Sequence, residues 1–255
     1  MKIDFSNKNV LITGGSRGIG KACATLFADL GANVTITYKS NLREAEKMIK
    51  SLNPKQSHSF FQLDISNPDA IEGFFKDFKD KYNRLDVLVN NAGVFSEHKI
   101  STVSYREWQQ VWKEILDTNL TGVANMCYFA ARQMIEQQEG KIINISSRGA
   151  FRGEPDSPAY AASKAGLNAM SQSLAIALAP HNITVGVIAP GFIETDMAAE
   201  ALSGEAGDLI RKQSPLNRVG KPEEVARAVA MFASSGMEYM TGGIIDLNGA
   251  SYLRS

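Results

Sequence analysis

Cysteine is scarce in this chain: Cys23 and Cys127 are the only two in 255 residues. Both lie in apolar, helix-patterned segments without metal-type spacing. That excludes a disulfide scaffold or a cysteine metal site and points to buried thiols in a reducing compartment. Net charge is missing too, because 27 Lys plus Arg balance 27 Asp plus Glu. A balanced chain gives no electrostatic case for nucleic acid or an anionic membrane. No stretch approaches the ~20 apolar residues of a membrane span. The opening "MKIDFSNKNVLITGG" carries Asp4 and no long apolar run, so it does not read as a secretory signal. Repeats, low-complexity tracts and linkers are absent as well. The expectation is a cytoplasmic protein of one domain spanning 1–255, with 44% hydrophobic content to fill its core.

What is present is an alternation of short β-branched runs with longer stretches of helical period. The runs are Asn9–Thr13, Asn33–Thr37, Ser59–Ile65, Leu85–Gly93, Lys141–Ser147, Ile183–Gly191 and Gly242–Gly249. Most are apolar at every position, as in strands covered on both faces. Ile19, Ala22, Cys23, Leu26, Phe27 and Leu30 mark one helical face, closed by Gly31. Leu167, Met170, Ser171, Leu174 and Leu178 mark another, stopped by Pro180. The pattern predicts an α/β fold: one Rossmann-type domain with a doubly wound, seven-stranded parallel sheet and helices on both faces. Residues 195–214, rich in small side chains after a strand end, read as a lid over a site.

Between the first run and the first helix stands "TGGSRGIG", with glycines at 14, 15, 18 and 20. A plain strand–helix turn accounts for one glycine, not four. Glycine lets the backbone turn tightly and admits a phosphate without an obstructing Cβ, while the helix N-terminus attracts the charge. No Gly-Lys-Ser/Thr follows, so a triphosphate loop is excluded and a dinucleotide loop expected. The second strand ends in "YKSN", without the acid that binds the ribose hydroxyls of NAD. Arg17 and Lys39, each by itself ordinary solvated surface, are placed to meet a 2′-phosphate, which favours NADP(H) over NAD(H).

Downstream, Tyr160 and Lys164 are four apart on a predicted helix and share a face. A phenol of ordinary pKa is a poor acid–base at neutral pH unless a neighbouring cation stabilises its charged form. Ser147, at a strand end, is placed to donate to an oxygen that gains charge. Each of the three has a structural reading alone; their order behind a nucleotide loop is what carries meaning.

These pieces together resemble the short-chain dehydrogenase/reductase family along essentially the whole chain. The matching segments are "TGGSRGIG", "NNAG" (Asn90–Gly93), Asn119 in "DTNLTG", Ser147 with Tyr160-x-x-x-Lys164, and "PGFIETDM" (Pro190–Met197). The resemblance implies that Tyr160 is the general acid–base and that Lys164 lowers its pKa and holds the nicotinamide ribose. It implies that Ser147 orients the substrate oxygen and that Asn119 holds a water linking Lys164 to solvent. It implies further that Gly14, Ser16, Arg17, Gly18, Ile19 and Gly20 seat the pyrophosphate side, with Lys39 near the 2′-phosphate. Asp64 and Ile65 would contact adenine, and Asn91, Ala92 and Gly93 the adenosine ribose. Pro190, Gly191, Ile193 and Thr195 would flank the nicotinamide and pyrophosphate. No metal is implied. Asn119 and "NNAG" also suit a helix kink and a strand-closing turn.

Within the family the pattern is most like that of the 3-oxoacyl-[acyl-carrier-protein] reductases, including "NRVGKPEEVA" (217–226). Such likeness implies a homotetramer, built through the helix around 126–137, the Tyr160 helix and "GGIIDLNGASYL". The chain departs from that pattern where an acidic carrier protein would dock: the helix ends read "EQQEGK" and "LAPHN", and Ile176-Ala177 replaces a charged pair. Arg148, Arg152 and Glu154 stand where small neutral residues are usual. They read either as solvated loop charges or as contacts for an anionic or polyhydroxylated substrate. The readings are therefore a 3-oxoacyl thioester reductase, a dehydrogenase or reductase of a free alcohol, sugar or ketone, and a catalytically silent NADP(H) sensor.

Overall fold

Each apolar run becomes a strand, and alternate residues of each strand feed opposite cores. The strands are β1 (Asn9–Ile12), β2 (Asn33–Tyr38), β3 (Ser59–Gln62), β4 (Val87–Asn90), β5 (Gly140–Ile145), β6 (Ile183–Pro190) and β7 (Ile244–Leu247). In the computed structural model, which describes residues 3–254 apart from the Met197 side chain, they form one parallel sheet in the order β3-β2-β1-β4-β5-β6-β7. Residues 1, 2 and 255 of the expected domain lie outside the described residues. Val10 pairs with Val34 on one side and Val87 on the other, which sets the register at the sheet centre.

The helices are α1 (Gly18–Asp29), α2 (Leu42–Lys50), α3 (Pro68–Lys81), α4 (Tyr105–Leu116), α5 (Val123–Gln137), α6 (Gly149–Arg152), α7 (Pro158–Leu178), α8 (Gly204–Lys212) and α9 (Pro222–Ala233). On one face Val10, Ile12, Val87 and Val89 pack with Cys23 and Phe27 of α1, Met48 of α2 and Phe232 of α9. On the other, Leu11, Leu88 and Ile142 pack with Phe74 of α3, Cys127 of α5 and Leu167 of α7. The period-two split is what a strand buried on both faces requires. Both thiols are free and buried, and burial pushes each up to about 12.

Local chemistry fixes the helix ends. Asn67 accepts from the N–H groups of Asp69 and Ala70 and is followed by Pro68 at the first helical position. Ser104 and Glu107 form a reciprocal capping box on α4. Between α4 and α5, residues Asp117–Gly122 form a π-helical turn, and Gly122 packs so tightly on the Ile65 carbonyl that a Cβ there would lie 2.3 Å from its oxygen. The turn aims Asn119 inward. The segment 195–214 holds one 3-10 turn (Asp196–Ala198) and α8. Among its described side chains only Gly207 and Ser214 are buried.

Candidate active site

The expected site residues follow the ends of six strands, β1 to β6, and are joined by Asn119 from the π-helical turn and by Tyr160 and Lys164 from α7, along the C-terminal edge of the sheet. The progression of strand order across the sheet reverses between β1 and β4, the place where open α/β sheets leave a crevice. Thr13 Oγ1 accepts from the N–H groups of Asn91 and Ala92, each at 3.0 Å. In return Asn91 Nδ2 donates to the carbonyls of Thr13 and Gly14, also at 3.0 Å. The Asn91 side chain is thus a brace under the glycine loop. Gly14 and Gly18 have φ of +64° and +53°, the left-handed region that favours glycine. No acidic side chain occupies the first turn of α1, so its N–H groups face outward unopposed. A cradle with open N–H groups and no obstructing Cβ fits the pyrophosphate of a dinucleotide.

Arg17 is exposed at the N-cap position of α1, in extended backbone. Lys39 is not unpaired: its Nζ lies 2.8 Å from the Asp64 carboxylate. Asp64 also accepts from Ser66 N–H (3.0 Å) and Ser66 Oγ (2.7 Å). Partial burial would raise the Asp64 carboxyl, but the hydrogen bonds from Lys39 and Ser66 outweigh it and hold the group below the ordinary carboxylate range.

Lys164 is 5% exposed, and its Nζ donates to the Ile145 carbonyl at 2.8 Å. A Cβ on Gly93 would approach that Nζ to 3.7 Å, so glycine keeps the ammonium accessible from the β4 side. Burial pulls the Lys164 pKa down to about 8. Tyr160, one turn earlier, is pushed the other way. Burial raises its phenol to about 12, a hydrogen bond with Ser147 works against the rise, and the Glu154 carboxylate adds to it. The lysine is directed at a carbonyl, 5.8 Å from the Tyr160 ring centroid, and its own burial disfavours its charge. Ser147 Oγ accepts from Gly149 N–H at 3.0 Å, which leaves its proton free to donate.

Asn119 is fully buried, with its amide spoken for. Oδ1 accepts from Val94 N–H and Nδ2 donates to Val94 O, both at 2.8 Å, and Nδ2 also reaches Ser163 Oγ at 3.3 Å. Ser163 Oγ in turn donates to the Tyr160 carbonyl at 2.7 Å. The side chain staples the loop after β4 to the helix that carries Tyr160.

Lys164 makes a pH-dependent mark on stability. Its folded pKa of about 8 lies below the unfolded 10.5, so between those values the unfolded chain binds more protons and stability rises with pH. The swing is on the order of 3 kcal/mol. The raised Tyr160 and cysteine groups act oppositely above pH ~9, so a comparison between proteins isolates the lysine. We expect wild type to gain on Lys164→Met as pH rises from 8 to 10 in urea titrations; parallel stability curves would show that Lys164 is not desolvated.

Sequence reading missed several residues around this centre. Phe95 is half exposed and packs edge-on against Tyr160, ring centroids 5.1 Å apart. His98 is buried: its Nδ1 lies 2.9 Å from the Ser96 carbonyl and its Nε2 accepts from Ala159 N–H at 3.2 Å, which ties the same loop to the start of α7. Arg148 is not a solvated loop charge, since it is 3% exposed; Arg152 is exposed, and Glu154 is half-buried against Gly149. Among the described residues no cluster of three or more His, Cys, Asp or Glu is placed to hold a metal, and no helix is long and apolar enough to cross a membrane.

Comparison with known proteins agrees with this geometry. A family model described as "Enoyl-(Acyl carrier protein) reductase" matches residues 14–249. The 3-oxoacyl-[acyl-carrier-protein] reductase FabG of Staphylococcus aureus is 38% identical over 247 residues, 96% of this chain and 98% of that protein. The enzyme of the same name from Chlamydia trachomatis is 40% identical over 245 residues, 95% and 96% of the two chains. The crystal structure of gox2181 superposes with a TM-score of 0.90 at 32% identity, covering 98% of this chain and 97% of that one. A dehydrogenase/reductase from Sinorhizobium meliloti 1021 gives 0.89 at 27% identity, covering 99% and 98%. With a crevice built for a dinucleotide and a Ser–Tyr–Lys set at its edge, the chain belongs to the short-chain dehydrogenase/reductase family of oxidoreductases.

Proposed function

We propose that the protein catalyses NADP(H)-dependent reduction of a carbonyl to a secondary alcohol, with 3-oxoacyl thioesters of an acyl carrier protein as the leading substrate class. The observation that carries the reaction is the grouping of Ser147, Tyr160 and Lys164 beside an open glycine cradle. The substrate class draws on the relatives named 3-oxoacyl-[acyl-carrier-protein] reductase. NADP(H) would be held by Gly14, Gly18 and Gly20 with the α1 N-terminus, by Arg17 and Lys39 at the 2′-phosphate, and by the Asn91–Gly93 and Pro190–Thr195 segments. When bound, it supplies the hydride from its nicotinamide.

Tyr160 keeps its proton at neutral pH, with a phenol pushed up to about 12, and so enters reduction as the acid that protonates the substrate oxygen. Ser147 donates to the same oxygen as negative charge develops. Lys164, at about 8, holds its proton near neutrality and can both release and regain it as Tyr160 is recharged. Phe95 covers one edge of the phenol and limits water there.

A second reading, reduction or oxidation of a free ketone, alcohol or sugar, is favoured by one observation. The last residues of α5 and the turn after it run Glu136-Gln137-Gln138-Glu139, with two acids and no cation to meet an acidic carrier protein, although Arg132 one turn earlier is exposed. A silent sensor is disfavoured by the complete set of Asn119, Ser147, Tyr160 and Lys164. The outer sides of α5 and α7 expose Tyr128 and Ile176, and β7 is only half-buried, which supports subunit contacts of a homotetramer at those surfaces.

The test is loss of reduced-nicotinamide absorbance with acetoacetyl thioesters, simple ketones and sugars, run with NADPH and with NADH. Tight NADPH binding without turnover of any member would reject the enzyme reading in favour of the sensor. For the cofactor, Arg17→Ala should weaken NADPH about tenfold, a loss of roughly 1.4 kcal/mol, and NADH by much less. Equal weakening of both in fluorescence titrations would remove Arg17 from the 2′-phosphate.

A further inference from the structure

Three separate segments converge on one buried cation. Arg148 directly follows Ser147, and its main-chain N–H donates to the Pro190 carbonyl at 2.8 Å. Its guanidinium donates to Gln213 Oε1, just past the end of α8, and to Ser251 Oγ near the C-terminus, both at 2.6 Å. The same group lies over the Phe192 ring, 4.9 Å from its centroid. Among the described residues no carboxylate lies within ion-pair distance of it. Burial pulls its pKa below the usual arginine value, with Arg152 adding to the effect and Glu154 opposing it. A desolvated guanidinium held by two neutral acceptors is costly, and an apolar side chain would fill the space more cheaply. Its planar fork, however, can bind two segments at once.

Among the lid's described residues only Gly207 and Ser214 are buried. Leu209 and Leu216 are largely exposed, and Arg211 bonds inside the lid, to Asp208 and the Leu202 carbonyl. The C-terminal end of the lid is tied to the body by two side-chain hydrogen bonds, Arg148 to Gln213 and Ser214 Oγ to the Gly249 carbonyl (2.6 Å). A cavity of about 420 Å³ lies at that end, walled by Arg148, Phe192, Ile210, Ser214 and Asn248, which leaves room for it to swing. We propose that Arg148 is the positioning residue that fastens the end of the lid and the C-terminal residues to the catalytic loop, so that closing the lid and placing Ser147 are one event. The kinetic part of this rests on the hydride-transfer reading; the structural part does not.

The test uses the NADPH-loaded full chain and amide hydrogen exchange. Arg148→Met removes both hydrogen bonds and keeps the bulk. Exchange over residues 204–213 should then rise about tenfold while β5 stays as protected as in wild type. With acetoacetyl coenzyme A as the probe, KM should rise and kcat should fall, each about tenfold, because lid closure and the placing of Ser147 are lost together; a KM rise with unchanged kcat overturns the coupling to Ser147. Gln213→Glu puts a carboxylate on the guanidinium and should slow lid exchange below wild type. Gln213 is surface-exposed, so this variant carries the test if Arg148→Met fails to fold. Wild-type lid exchange in Arg148→Met, or unchanged exchange in Gln213→Glu, overturns the brace. So does equal loosening of β5 and the lid. A wild-type protein that turns over nothing in the substrate panel rejects the reaction and leaves the exchange arm to decide the brace.

Discussion

Tyr160→Phe is expected to lower kcat/KM for carbonyl reduction by about a thousandfold or more, with the Kd for NADPH changed by less than about threefold. The substitution deletes one oxygen and leaves the ring, its edge-on contact with Phe95 and the helix around it. Among the described residues no other titratable group is hydrogen-bonded to Ser147, so none stands in place to take over the proton transfer. Single-turnover reduction measured beside an NADPH titration separates chemistry from binding. Turnover within tenfold of wild type would remove Tyr160 from the reaction.

The second large effect is expected at the opposite end of the crevice. Gly20→Ala adds a single carbon where there is no space: its Cβ would lie 2.3 Å from the Gly14 carbonyl oxygen and 2.5 Å from Asn91 Nδ2. Neither neighbour is a flexible side-chain end. One is main chain, and the other is the amide that bonds the Thr13 and Gly14 carbonyls. The loop must therefore open. We expect a stability loss of about 1–3 kcal/mol from overpacking. NADPH affinity should fall by about a hundredfold or more, or roughly 2.7 kcal/mol, as the cradle N–H groups lose their alignment. Gly73→Ala in α3 is the control, since nothing lies within 4 Å of a Cβ there; it should be neutral or slightly stabilising. Denaturant midpoints and NADPH titrations of both variants decide the matter. A Gly20→Ala protein that binds NADPH like wild type would mean the loop is not the cofactor seat.

The fold was legible because burial on both faces writes itself into composition. Runs such as Asn9–Ile12 and Val87–Asn90 are apolar at nearly every position, and all seven expected runs contain a strand. Tyr160 and Lys164 were legible for a similar reason, as their relation is local to one helix. What stayed hidden was every partnership set by tertiary register. The Lys39–Asp64 ion pair joins the ends of β2 and β3, 25 positions apart. Asn91 turns beneath a loop 77 residues earlier, and Arg148 reaches Ser251 across 103. Sequence presents these residues as loop polars; only packing decides whether a charge meets water, an ion or a carbonyl. The second partner of Lys164 is another such case. Helix spacing predicts its ammonium beside Tyr160, where it lies 5.8 Å from the ring centroid, but only the packing shows that it also donates to the Ile145 carbonyl.

The two thiols divide between the two cores: Cys23 lies in the layer of α1, α2 and α9, and Cys127 in the layer of α3, α5 and α7. Because burial raises both far above neutrality, neither reacts until its own helical layer lifts from the sheet. The molecule thus carries one chemical clock on each side of its sheet. Alkylation rates resolved by peptide mass would time the opening of the cofactor-side and catalytic-side layers separately, with no label added and no residue changed.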